Sequence, residues 1–208
     1  SWLPLQIDPE DFKILLNTFH SVFPHVSVWV AMTHYNKHAL IVGSEKRIEI
    51  DMRRFVERYN RFARQDLKSI NIDGPVHLLN TFLMDEKNFS GDINNSAIHT
   101  EDKPVLEFSL SRGDTTSVQM RVYDFMSKRL SNVSPYLVNI PLNQRDTVVA
   151  TLGAASEANR HVMLGLIKQE NFQPDYASEY EAALKSWPEH TGAQRLHAVT
   201  SKVAKVKL

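Results

Sequence analysis

Apolar positions change period twice in the first 43 residues. Phe12, Leu15, Leu16, Phe19 and Val22 recur at helical spacing. Asp8 is placed to cap the free N–H groups, Pro9 suits the first turn, and Glu10 and Asp11 complement the positive helix end. Phe23-Pro24 ends that helix. Val26 to Met32 then reads as a buried strand rich in β-branched residues, and His38 to Gly43 as a second one. The connection is short, so the two strands are expected to be antiparallel neighbours. Trp2-Leu3-Pro4-Leu5 would lie at or just after an earlier strand.

Downstream the pattern is mostly helical. Met52 to Leu67 places Phe55, Val56, Tyr59, Phe62 and Ala63 on one face behind a cap at Asp51. The Asp73-Gly74-Pro75 turn leads into a second predicted helix, Val76 to Met84. Gly91 to Asp102 reads as a loop, Val105 to Leu110 as a short strand, and Thr116 to Leu130 as a helix. Ser131 to Leu142, with Pro135 and Pro141, reads as a linker. Helical stretches follow at Thr147 to Glu157, Asn159 to Gln169, Asp175 to Ser186 and Thr191 to Val206, with Trp187-Pro188 as a stop. The predicted organisation is an α/β section over 1–112, a helix and linker over 113–142, and a helical extension over 143–208. Leu164-Gly165, Ala177, Ala183 and Pro188 resemble one tetratricopeptide hairpin with a one-residue deletion between the two alanines.

One helix and two strands cannot complete an open sheet, although an antiparallel edge often closes one that is otherwise parallel. The expectation is therefore the closing section of an α/β domain whose opening section lies upstream. The alternative is a small α+β unit completed by the helices that follow.

Composition narrows the partners. Lys plus Arg (24) equals Asp plus Glu (24), which gives no global field for nucleic acid, and Lys202, Lys205 and Lys207 read as a solvated end. With no cysteine the chain has no disulfide or thiolate chemistry, which suits the cytoplasm. The longest apolar run is far short of the roughly 20 residues that span a bilayer, so no membrane contact by this segment is expected. The sequons at Asn88 and Asn132 follow no signal peptide and read as chance.

Catalytic signals are sparse. The seven glycines form no phosphate-binding loop, and no Gly-x-Ser-x-Gly elbow is present. His34 and His38 near Asp51 read as a surface pair rather than metal ligands, and His20 and His25 as residues answering a helix end. Glu101, Asp102 and Glu107 are acid–base candidates without a partner and read as caps and loop anchors. Tyr35 follows a buried strand, where open α/β sheets place ligand contacts; otherwise it covers a sheet edge.

The order Trp2-Leu3-Pro4-Leu5, helix, Phe23-Pro24-His25-Val26, Trp29 and Ala39-Leu40-Ile41-Val42-Gly43-Ser44 resembles the C-terminal part of the spermidine synthase (polyamine aminopropyltransferase) catalytic domain. Ile98-His99-Thr100-Glu101-Asp102-Lys103-Pro104-Val105-Leu106-Glu107-Phe108 is similar to the Asn-Thr-Asp-Asp-x-Pro-x-x-Glu-Phe signature of large bacterial members fused to membrane helices, with His99 and Glu101 departing from it. The likeness covers about residues 2–110. It implies a Rossmann-like methyltransferase-type sheet, of which this chain holds the terminal helix and antiparallel strand pair. It also implies a parent that transfers an aminopropyl group from decarboxylated S-adenosylmethionine to a polyamine. In that family the donor loop and the acidic residues lie upstream of the Trp-Leu-Pro-Leu position, so this chain is expected to hold no catalytic residue, cofactor or metal and to be inactive alone. Tyr35 resembles the substrate-lining tyrosine of the family's Pro-Thr-Tyr turn, here Thr33-His34-Tyr35 without the proline. The implied partners are the upstream half of the same polypeptide and a second copy in a homodimer, and the implied setting is cytoplasmic, as the soluble domain of a membrane-anchored parent. The alternative function is a non-catalytic module that binds a protein partner through the helical C-terminus.

Overall fold

The computed structural model describes residues 1–33, 37–107 and 115–206. It opens with β1 (Trp2–Pro4), α1 (Pro9–Val22), β2 (His25–Trp29) and β3 (His38–Ser44). Asp8 caps α1 as expected, its carboxylate accepting from the Glu10 N–H at 3.0 Å. β4 (Ile50–Asp51) follows, and then α2 (Met52–Arg58) and α3 (Arg64–Ser69), joined through a π-helical turn at Tyr59–Ala63. Next come α4 (Pro75–Leu79), β5 (Phe82–Asp85) and α5 (Glu86–Ile93). The remainder is α6 (Thr115–Ser127), β6 (Leu137–Val138), α7 (Arg145–Glu170), α8 (Tyr176–Ser186) and α9 (Thr191–Val206).

The main sheet has the order β1-β3-β2-β5, every neighbouring pair antiparallel. β2 and β3 pair as predicted, from His25 opposite Ser44 to Trp29 opposite Leu40. Because β1 and β2 each run antiparallel to β3, they are parallel to one another, with α1 as their crossover. The protein is thus mixed α/β, with a small antiparallel sheet and a largely helical C-terminal region.

Side chains alternate across the sheet as the pleat requires. Val26, Val28 and Val30 of the β2 segment and Ala39 and Ile41 of β3 face the main core with Leu3, Phe12 and Leu16. Trp29 faces the other way, edge-on to Phe82 at 5.2 Å, over a smaller core of Leu79, Val133, Tyr136 and Leu152. The main core also takes Ala155, Ala158, Val162 and Leu166 from α7 and Tyr180 and Ala183 from α8, so the C-terminal helices bury their apolar faces in the same cluster as the sheet. The α7–α8 hairpin closes tightly because Gly165 has no side chain: a Cβ there would lie 2.4 Å from the Tyr180 ring.

Several sequence expectations change. Val76 to Met84 is not one helix; α4 stops at Leu79, and Phe82-Leu83-Met84 becomes a buried strand on the free edge of β2. A short fully apolar run has no period by which to choose helix or strand, and the open edge decides. The predicted loop at Gly91 starts late because α5 runs to Ile93 behind a capping box formed by Asp85 and Asn88. Residues 105–107 of the expected strand form a turn, and the rest of that strand lies outside the described residues. The two stretches after Thr147 are one 26-residue helix, since Ala158 between them favours helix and α7 runs unbroken against α6 and α8. The expected linker Ser131 to Leu142 is built in: Val133 and Tyr136 are buried, and β6 pairs in parallel with β4.

The Met52 to Leu67 helix forms, but Phe62 leaves the core face. Tyr59 is buried, with its hydroxyl donating to the Ile72 carbonyl at 3.0 Å. The extra residue of the π turn then brings Ala63 and Leu67 back toward the core and leaves Phe62 65% exposed.

Candidate functional site

β2 ends at Trp29, and Ala31, Met32 and Thr33 beyond its carboxyl end border a cleft closed by Asn71, His77, Asn80, Asn159, Trp187, His190 and Thr191. Asn80 follows α4, Asn159 lies midway along α7, and His190 precedes α9, so three helical elements converge there. α4 is started by Gly74-Pro75, the proline at the first helical position. α9 starts where Trp187-Pro188 has ended α8.

His190 occupies the N-cap position that serine or aspartate usually fills. Its Nδ1 accepts the Ala193 N–H at 3.1 Å, which leaves the ring proton on Nε2, where it donates to the Asn159 side-chain oxygen at 2.9 Å. The Asn159 amide donates to the Asn80 carbonyl at 2.9 Å and to the Asn80 side-chain oxygen at 3.0 Å, and the Asn80 amide returns a bond at 3.3 Å. All three residues are buried. Burial pushes the His190 pKa down from 6.5 to about 4, and the neighbouring His77 acts in the same direction. His190 therefore stays neutral at pH 7. His77 packs on Trp187 at 4.6 Å between ring centres and donates from Nε2 to the Glu189 carbonyl at 2.8 Å.

Gly192 locks the cleft to the sheet. A Cβ there would fall 1.9 Å from the Met32 carbonyl oxygen, so α9 touches the end of the β2 segment backbone to backbone. The free volume is about 20 Å³, room for roughly one water. Every polar side chain of the triad is hydrogen-bonded, and among the described residues no carboxylate lines the cleft. The arrangement joins the segment after β2 to α4, α7 and α9.

A second polar cluster lies at the other end of β2. Glu86 accepts from the Val26 N–H at 3.0 Å and faces His25 Nδ1 at 3.1 Å. Burial raises the Glu86 pKa, but the bonds from His25 and Val26 outweigh it and hold the carboxyl below its usual value. Asp85, buried and bonded by the Tyr136 hydroxyl, is pushed up by desolvation and then by Glu86. These groups tie α5 and the 134–138 segment to the sheet.

The predicted site residues separate. Tyr35 and His34 lie outside the described residues; Thr33 lines the cleft. His38 is on β3, its ring tilted against Trp2 with centres 5.7 Å apart, and no group of three or more metal-binding side chains exists among the described residues. His25 answers Glu86 rather than the end of α1, and His20 is in the last turn of α1 with Nδ1 unbonded. Glu101, Asp102 and Glu107 are exposed in turns. His99 is held by α1 through its N–H to Thr18 Oγ1 at 2.9 Å, and its Nδ1 accepts the Leu106 N–H at 3.3 Å. The signature-like loop is thus folded around His99, one of the two positions where it departs from the family pattern.

Sequence reasoning missed the Asn80–Asn159–His190 triad. Its one legible trace was Asn159, a short polar residue in the middle of an apolar helix face. No family model, curated protein or solved structure matches the chain.

Proposed function

We propose that this chain is the closing section of a spermidine synthase-like aminopropyltransferase domain and contributes the rim of an amine site rather than the reacting groups. The observation that carries the proposal is the β1-α1-β2-β3 unit: two parallel strands joined by a helix, with an antiparallel strand between them. That arrangement suits the end of a Rossmann-like open sheet, whose ligands gather beyond the carboxyl ends of the strands. Tyr35 lies in the sequence between β2 and β3, after the carboxyl end of β2. The 208 residues contain no glycine-rich donor loop, so decarboxylated S-adenosylmethionine would be bound by the upstream half of the same polypeptide. The cleft's neutral groups fit a positioning role.

The alternative, a protein-binding module built on the C-terminal helices, has less support because α7 and α8 spend their apolar faces on the protein's own core.

Nuclear magnetic resonance titration of the chain with spermidine tests the proposal. Shift changes are expected at Ala31–Lys37 and His190, and they should vanish in Tyr35→Ala. No shifts, shifts confined elsewhere, or aminopropyl transfer by the chain alone would overturn it.

A further inference from the structure

We propose that the exposed side of the α2–α3 helix is a docking surface for an anionic phospholipid bilayer. Over Met52–Ser69 the chain carries Arg53, Arg54, Arg58, Arg61, Arg64 and Lys68 against Glu57 and Asp66, a local net of +4 in a protein whose formal charge is zero. All six cations are exposed, and among the described residues none is in an ion pair. Elsewhere some surface cations are answered, as in Lys128–Asp124 and Lys168–Glu179, and those that are in no ion pair, such as Lys46, Lys87 and Arg145, are scattered along the chain.

Large apolar side chains project among these cations. Leu142, 88% exposed, shares a hollow with Arg53 and Arg54; Phe62 stands beside Arg61, whose guanidinium lies 4.8 Å from its ring; Ile70, 53% exposed, follows Lys68. Ile70 continues into an apolar groove of about 260 Å³ lined by Trp2, Leu40 and Leu67. The π turn turns Phe62 outward on this side. Cations interleaved with protruding aromatic and aliphatic groups match a headgroup layer, where phosphates meet arginine and lysine while apolar tips enter the acyl boundary. Bases of single-stranded RNA would stack on Phe62, but Leu142 and Ile70 offer them no ring. Lipid accounts for both kinds of side chain.

Co-sedimentation of the full chain with phosphatidylcholine vesicles containing about one-third phosphatidylglycerol tests this, with pure phosphatidylcholine vesicles and single-stranded RNA as the other arms. Binding is expected to the anionic vesicles alone and to weaken with salt. Arg58→Glu/Arg61→Glu/Lys68→Glu should lower vesicle partitioning about 100-fold, at roughly 1 kcal/mol per basic residue. Phe62→Ser/Leu142→Ser should lower it about tenfold with the charges intact. All these side chains are exposed, and unchanged melting curves would show that both variants fold. Equal binding to neutral vesicles, binding to RNA in place of vesicles, no binding, or undiminished binding by both variants would overturn the proposal.

Discussion

Two polar regions of this protein behave in opposite ways. At the end of β2, Asn80, Asn159 and His190 are buried and answer one another completely. Along α2–α3, six cations stand in solvent and none is in an ion pair among the described residues. A buried polar group left without its partner costs its full desolvation, whereas an exposed charge remains hydrated whatever stands beside it. The triad is therefore expected to govern stability, and the helix to govern what the protein meets.

Four experiments can break or sharpen that contrast. The largest effect is expected for Gly192→Ala, whose new Cβ would collide with a backbone oxygen that has no rotamer to yield. It should cost about 3 kcal/mol or more in urea denaturation. Acidification comes next. The unfolded chain protonates His190 near 6.5 and the folded protein only near 4, so the unfolded state binds more protons between those values. Stability is then full above pH 6.5 and falls as pH drops toward 4, by about 3 kcal/mol in total. His190→Asn, which can still accept the cap bond, should remove that part of the slope. Asn159→Ala strands the His190 Nε2 proton and the three Asn80 groups that Asn159 bonds, for a loss of about 2 kcal/mol. The smallest effect is expected on the helix: the triple glutamate variant at Arg58, Arg61 and Lys68 should shift stability by no more than about 0.5 kcal/mol. A loss comparable to that of Asn159→Ala would show that these cations also hold the fold.

How much could be read in advance differs by element. α1 was legible because cap, proline, acidic first turn and apolar period all agree within Asp8–Val22. β2 and β3 were legible from β-branched runs on either side of a short connection. β5 was not, because Phe82-Leu83-Met84 is apolar on both sides and only the vacant edge of β2 makes it a strand. Phe62 was assigned to the core by a regular helical period, which the π turn at Tyr59–Ala63 breaks. Tyr35 lies outside the described residues; the cleft that Ala31–Thr33 border is closed by groups from residues 71–81, 159 and 187–191. Nothing in the local pattern links those segments.

The sequence by itself determined the elements whose signals lie within one or two turns: the capped helices, the paired strands, the Trp187-Pro188 stop, and the absence of a phosphate loop or thiol chemistry from these 208 residues. Tertiary structure decided that β3 lies between β1 and β2, that α7 and α8 share the sheet's core, and that His190 meets Asn159. The physical reason is range. Caps and periods are set by neighbours a few residues apart, whereas the burial that keeps His190 neutral depends on segments far apart in the chain.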